Sequence, residues 1–166
     1  MISKICKNVF IGEYSDVVSQ FDKTPDENRR LLENLKRLGI SDVLSLCNSD
    51  EEDCLNKKEE RSFKTNQLAG IQLHHQPISI RHSSCKETFK LALEKINQIL
   101  SENPKAKVLI HCFGGVDRAP FLAAAFLSFS RQIQLNDAYS DIRKIRPFVV
   151  EHYEWKWWLD PEVPSL

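Results

Sequence analysis

The stretch IHCFGGVDRAPF, Ile110 to Phe121, places a cysteine and an arginine on either side of two adjacent glycines. It follows the apolar run KVLI and leads into an apolar, alanine-rich run, so it predicts a strand, a tight loop and a helix. We call residues 113–118 the glycine loop. A loop this short must turn back on itself to enter the helix. Its backbone N–H groups then lack strand partners, and they can bind an anion at the helix N-terminus.

Phosphate is the anion that these residue types fit best. The positive potential at the helix N-terminus is expected to lower the pKa of Cys112 and make it a thiolate nucleophile. Arg118 can donate two hydrogen bonds to phosphoryl oxygens. His111 is expected to brace the loop, and Gly114 and Gly115 to supply backbone angles that other residues resist. The candidate phosphate-binding residues are Phe113, Gly114, Gly115, Val116, Asp117 and Arg118.

Helical and strand patterns alternate along the rest of the chain. Helices are predicted from about residue 24 to Gly39 and at 51–64, 86–100, 119–131, 136–145 and 151–159, and strands at 5–11, 42–47, 71–78 and 107–111. We therefore predict an α/β protein, a single domain over residues 1–166, with a largely parallel central sheet of about four to five strands flanked by helices. In such a sheet ligands bind at the carboxyl ends of the strands, which is where the glycine loop lies.

Composition narrows the range of partners. The formal net charge is zero, so no overall field favours nucleic acid or an anionic membrane. The longest apolar run is too short to span a bilayer, and the N-terminus lacks the apolar core of a signal peptide, so we expect a cytoplasmic protein. The five cysteines form no CxxC pair, which argues against a disulfide framework or a zinc site, and no metal or other cofactor is expected.

The segment IHCFGGVDRA resembles the HCxxGxxR signature of cysteine-dependent protein tyrosine phosphatases, and the short chain looks like their dual-specificity branch. LGISDVLSLC (38–47) is similar to that family's second strand, and DAYSDIRKIRP (137–147) to the helix after the signature. The resemblance implies a metal-free reaction in two steps: Cys112 takes the phosphoryl group as a thiophosphate, which water then hydrolyses. Phosphorylated proteins, phosphotyrosine first, are the implied substrates.

Within that family, Arg118-Ala119-Pro120 most resembles the phosphatases of regenerating liver. Other members have serine or threonine after the arginine, whose hydroxyl helps the sulfur leave. The resemblance therefore implies that Ala119 slows the second step. It also implies that Cys47, at the end of its strand, can form a disulfide with the catalytic cysteine. The alternative is that Cys47 is an ordinary buried thiol.

The resemblance also implies an aspartate general acid on a loop before the cysteine, here residues 74–85. Alignment on Pro77 puts Ile80 at that position, and no Asp or Glu occurs from Ile71 to Cys85. Loss of a general acid costs roughly 10²–10⁴ in rate, so slow turnover is expected.

Three substitutes for the acid are open. Asp117 occupies a position that looks like the acid-bearing loop of myotubularin-type phosphoinositide phosphatases, or else it faces outward and caps the helix. His82 has a side chain suited to proton donation near neutral pH, or else it is an exposed loop residue. The acidic run 50–53 could reach the pocket rim, or else it is a solvated face.

These residues leave three functional hypotheses. The first is a slow phosphatase of the phosphotyrosine or dual-specificity type. The second is a phosphoinositide phosphatase that uses Asp117 and binds a second phosphate through basic residues of the 74–82 loop, unless those residues simply lie at the surface. The third is a pseudophosphatase that binds phosphorylated partners without useful turnover, as Ile80 and Ala119 suggest. Oligomeric state is not predicted.

Overall fold

A five-stranded sheet forms the centre of the protein, for which the computed structural model describes residues 1–17, 25–48, 70–78, 85–152 and 155. The strands lie in the order β1-β2-β5-β3-β4. β1 is antiparallel to β2, and the other neighbours are parallel. This confirms the predicted α/β fold. The strands are β1 (Ser3–Lys4), β2 (Val9–Glu13), β3 (Asp42–Ser45), β4 (Gln72–His75) and β5 (Val108–Cys112), and the helices are α1 (Pro25–Leu38), α2 (Cys85–Glu102), α3 (Arg118–Arg131) and α4 (Leu135–Ile145), with a 3₁₀ turn at Tyr14–Asp16.

The first predicted strand is in fact a hairpin. The chain turns after β1, where the backbone N–H of Ile5 donates to the carbonyl of Val9 at 2.9 Å. Asn8, in the turn, donates from its side chain to the carbonyl of Ala106 at 2.5 Å. That long-range contact fixes the turn next to β5, and an apolar run alone does not reveal it. The strand predicted at 71–78 is likewise shorter, because the paired register with β3 covers 72–75, although the N–H groups of Gln76 and Ile78 still donate to the carbonyls of Ser45 and Leu46.

The four helices begin and end close to the predicted residues. α1 stops at Gly39, whose φ of 72° is a left-handed conformation that glycine adopts without strain. α3 is buried on nearly all sides, because its sequence RAPFLAAAFLSFSR is apolar around the whole circumference. The helix predicted at 51–64 and most of the one at 151–159 lie outside the described residues.

The sheet carries a hydrophobic core on each face. Side chains alternate along β5: Val108, Ile110 and Cys112 join the core that contains α2, α3 and α4, which we call the α3 face. Leu109 joins the core that contains Leu35 of α1, which we call the α1 face. The parallel strands β2, β5, β3 and β4 end at one edge, and the glycine loop leaves β5 there. Among the described residues, no helix combines the length and the apolar content that a membrane span requires.

Candidate active site

The glycine loop joins the fully buried β5 to the N-terminus of α3, as the sequence predicts. Its backbone is fixed on two sides. The carbonyl of Phe113 accepts from the N–H of Tyr14 at 3.0 Å, and the carbonyl of Val116 accepts from the N–H of Val150 at 2.8 Å. The loop conformation is therefore held by β2 and its following turn on one side, and by the segment after α4 on the other.

Only one of the two glycines needs to be a glycine. Gly115 has a φ of 64°, and a Cβ there would lie 2.7 Å from the carbonyl oxygen of Gly12 and 2.9 Å from Nη2 of Arg146. Gly114 has no positive φ, and a Cβ on it would meet only Val116 at 3.6 Å. The expectation that both glycines supply special angles is wrong for Gly114, because the turn is completed at Gly115 alone.

Cys112 lies beneath the loop with a completely buried side chain. Burial raises its pKa, since a thiolate is poorly solvated there; the backbone N–H groups of Ala119 and Gly115 and the charge of Arg118 act in the opposite direction, and Asp117 raises it further. The predicted lowering of the pKa is therefore wrong. The sequence indicated the helix N-terminus correctly, but it did not reveal the depth of burial or the nearby carboxylate.

Arg118 is 4% exposed and is anchored below the loop. Its Nη1 donates to the carbonyl oxygens of Leu46 at 3.3 Å and Ile78 at 3.1 Å, which lie just past the ends of β3 and β4. Its Nε lies 3.8 Å from Oδ1 of Asp117, so that edge of the guanidinium faces the loop. Two strand ends thus orient the arginine, and sequence spacing gave no sign of them.

Asp117 combines the two arrangements that the sequence left open. Its Oδ1 accepts from the backbone N–H of Arg118 at 2.6 Å at the start of α3, and it lies 3.7 Å from Sγ of Cys112. Its Oδ2 lies 3.9 Å from Nε2 of His152. The side chain is 22% exposed, so it caps the helix without facing outward into solvent.

His111 lies on the α1 face, with its ring 6.1 Å from that of Tyr14. Burial lowers its pKa from 6.5 to about 4, helped by the positive charges of His75 and Arg118, although a backbone hydrogen bond at Cys112 opposes the shift. The ring is therefore neutral near pH 7. Its Nδ1 contacts Sγ of Cys47 at 4.0 Å.

Cys47 belongs to the core on the α1 face, whereas Cys112 belongs to the core on the α3 face. Both side chains are thiols, and no disulfide forms among the described cysteines. The Cys47–Cys112 disulfide stays a prediction. Forming it would require one of the two side chains to move to the other face of the sheet.

The remaining candidates divide into two groups. Nε2 of His74 pairs with Asp42 at 2.8 Å, and Nε2 of His75 bonds to the carbonyl of Cys47 at 2.8 Å, so both side chains are directed to β3 and its end. His82, Ile80, Arg81 and the acidic run 50–53 lie outside the described residues.

Sequence reasoning missed the segment that follows α4. Arg146 lies beside Gly115, Val150 bonds to the loop, and His152 lies beside Asp117. The helix that precedes this segment was recognised, but nothing in the spacing of residues 146–152 indicates that they fold back onto the loop.

Known proteins are similar to this chain in sequence and in fold. Residues 26–160 match the family described as dual specificity phosphatase, catalytic domain. Cyclin-dependent kinase inhibitor 3 of Mus musculus is 33% identical over 150 residues, which cover 87% of this chain and 67% of the relative. Dual specificity protein phosphatase 5 of Rattus norvegicus is 28% identical over 95 residues, but the match spans only 24% of that longer protein.

A solved structure extends the comparison to the fold. The crystal structure of Tk-PTP in the active form superposes with a TM-score of 0.70 at 24% identity, and the match covers 96% of this chain and 94% of that chain. Together with the strand, loop and helix built around Cys112, these similarities show that the chain belongs to the dual-specificity phosphatase catalytic-domain family.

Proposed function

We propose that this protein hydrolyses phosphate monoesters, of the phosphotyrosine or dual-specificity type, through a phosphocysteine on Cys112. The observation that carries the proposal is the position of that sulfur. It lies under the N-terminus of α3, where the backbone N–H groups of Ala119 and Gly115 and the charge of Arg118 all favour a negative charge on it. A phosphate seated in the glycine loop meets the same donors.

The first step transfers the phosphoryl group to sulfur. Cys112 gives its proton to Oδ1 of Asp117, which lies 3.7 Å away. The backbone N–H groups of Ala119 and Gly115 and the charge of Arg118 stabilise the thiolate that this transfer leaves. The thiolate then attacks phosphorus, the bond to the leaving oxygen breaks, and that oxygen takes the proton from Asp117.

The second step releases phosphate. A water attacks the phosphocysteine and gives a proton to the Asp117 carboxylate, the sulfur–phosphorus bond breaks, and inorganic phosphate leaves. Ala119 offers only its backbone N–H to the departing sulfur, with no side-chain hydroxyl. We therefore expect breakdown of the intermediate to limit a slow turnover.

Arg118 holds the phosphoryl oxygens during both steps. The carbonyls of Leu46 and Ile78 fix its Nη1, so the loop-facing edge of the guanidinium is positioned before substrate binds. Preorganised donors of this kind stabilise the transition state without a cost of reorganisation.

Rapid-quench kinetics with a small aryl phosphate test the proposal. Wild-type protein is expected to release one equivalent of the phenol in a burst and to turn over slowly thereafter. It should also yield a phosphocysteine in acid-quenched mass spectra. Cys112→Ser is expected to show neither. Cys6→Ser, which alters a partly buried thiol elsewhere, is the matched control and should keep the burst. If the wild-type protein shows no turnover and traps no intermediate, the proposed phosphatase activity is excluded.

A pseudophosphatase is the second candidate, and the raised pKa of Cys112 favours it, because a thiol is a poor nucleophile. It predicts tight binding of a phosphopeptide by wild type, loss of that binding in Arg118→Ala, and negligible turnover. Robust turnover excludes this candidate.

The hypothesis of a phosphoinositide phosphatase gains less support from these contacts. The inward carboxylate of Asp117 suits it, but His74 and His75, two of the basic residues assigned to a second phosphate, are held by Asp42 and the carbonyl of Cys47. A panel of phosphoinositides and phosphotyrosine peptides decides this point. A clear preference for the phosphoinositides would show that the substrate class is a lipid phosphate and not a phosphorylated protein.

A further inference from the structure

We propose that His152 is a positioning residue that holds the Asp117 carboxylate in the orientation from which it exchanges a proton with Cys112. The inference rests on the proposed function. It begins from the two oxygens of Asp117, which have different neighbours. Oδ1 faces the loop, 2.6 Å from the backbone nitrogen of Arg118 and 3.7 Å from the sulfur, whereas Oδ2 lies 3.9 Å from Nε2 of His152.

The position of the imidazole is itself fixed by the core. The ring of His152 stacks on that of Trp155, with centroids 4.0 Å apart and planes 28° apart. Trp155 is 3% exposed, and it packs against Phe89 at 5.2 Å and Phe121 at 5.5 Å. Phe121 lies in the first turn of α3, so the same helix that presents Asp117 also supports the platform under His152.

The residues just before His152 are tied to the glycine loop and to α4. The N–H of Val150 donates to the carbonyl of Val116 inside the glycine loop at 2.8 Å. Glu151 pairs with Arg143 of α4 at 2.6 Å. These contacts fix the segment after α4 against the loop and α4.

The chemistry follows from this geometry. Nε2 of His152 lies 3.9 Å from Oδ2, so the imidazole occupies that side of the carboxylate and forms an ion pair with it when protonated. Oδ1 then stays on the side of Cys112 and of the leaving oxygen. The other charged group in contact with Asp117 is Arg118, and Glu151, next to His152 in the chain, pairs with Arg143.

The variants His152→Phe and His152→Gln separate positioning from packing. Phenylalanine keeps an aromatic ring on Trp155 but removes the nitrogen, whereas glutamine restores an N–H donor. We expect His152→Phe to lower kcat/KM for phenyl phosphate about tenfold more than kcat/KM for p-nitrophenyl phosphate, because kcat/KM reports the first step and the better leaving group depends less on the acid. His152→Gln should restore most of the ratio. Equal losses on both substrates would mean a purely structural role and would overturn the inference.

A double-mutant cycle asks whether the effect passes through Asp117. In an Asp117→Asn background, His152→Phe is expected to leave the ratio of the two substrates unmoved. A shift of that ratio that persists in the Asp117→Asn background would also overturn the inference.

A measurement without turnover distinguishes this inference from the proposed function. The pH dependence of Cys112 alkylation by iodoacetamide reports the thiol pKa, which should fall in His152→Phe because Oδ1, whose charge raises that pKa, is then no longer held beside the sulfur. That fall should vanish in the Asp117→Asn background. If wild type shows no turnover while this coupling holds, the proposed function fails and the positioning contact stands; if turnover is present and the coupling is absent, the reverse is true.

Discussion

Cys112 and His111 are neighbours on β5, and both side chains are fully buried, yet they lie on opposite faces of the sheet. Burial acts on both in the same way, because it favours the neutral form: it raises the pKa of the cysteine and lowers that of the histidine. The surroundings differ. Cys112 lies under the backbone N–H groups of the glycine loop, whereas His111 contacts the ring of Tyr14 and the sulfur of Cys47.

Arg118 shifts the pKa of both residues in the same direction, with opposite consequences for their charge. Its positive charge lowers the pKa of Cys112, favouring a thiolate, and also lowers that of His111, favouring the neutral imidazole. The charge of Arg118 thus favours the deprotonated form of Cys112 on one face and the neutral form of His111 on the other. The two residues are equally buried, and the position of the loop donors is what distinguishes their surroundings.

The largest effect is expected from Arg118→Lys, which keeps the charge but loses the planar fork. We expect kcat on an aryl phosphate to fall about 10³-fold, because a lysine cannot reach phosphate while also bonding to the carbonyls of Leu46 and Ile78. Arg131→Lys, at a surface ion pair with Asp141, is the matched control. Activity of Arg118→Lys within tenfold of wild type would contradict the role given to this arginine.

Asp117→Asn is expected to impair proton transfer in both steps of the reaction. Turnover of phenyl phosphate should fall about 10²-fold. The thiol pKa of Cys112 should fall as well, since the carboxylate that raises it is gone, and alkylation by iodoacetamide at pH 7 should become faster. A variant that is slower in both assays would point to a damaged fold instead. Asp141→Asn, which changes a half-exposed carboxylate on α4, should alter neither.

His111 should govern part of the pH dependence of stability. Its folded-state pKa of about 4 lies below the ordinary 6.5, so its contribution is complete above pH 6.5 and is lost as the pH falls toward 4, because the unfolded chain binds the proton first. The difference corresponds to about 3 kcal/mol. In urea unfolding at pH 7 and pH 4.5, His111→Asn should lose less stability on acidification than wild type. Equal losses in the two proteins would show that the ring is not held neutral.

The loop itself offers a matched pair of small changes. Gly115→Ala should destabilise the fold by about 2 kcal/mol, because of its positive φ and the close carbonyl of Gly12. Gly114→Ala should change the free energy of unfolding by about 0.5 kcal/mol or less. Thermal or urea unfolding measures both, and equal effects at the two positions would refute the assignment of the turn to Gly115.

The helices and the loop are the parts of the fold that sequence reasoning found most accurately. Leucines at helical spacing and Gly39 delimit α1 through contacts within a few residues, which is why the pattern suffices. The first strand was misread because the turn at Asn8 depends on Ala106, far along the chain. The end of β4 was misread for a similar reason, since pairing with β3 decides where that strand stops.

The sequence by itself determined the strand, the glycine loop and the helix around Cys112 and Arg118, because those elements depend on local backbone geometry and on the order of residue types. Only the tertiary structure decided which face each neighbour on β5 occupies, that strand-end carbonyls hold Arg118, and that His152 lies beside Asp117. It also reversed the expected direction of the pKa of Cys112. Solvation and charge are set by atoms that fold in from distant segments, and no local pattern records them.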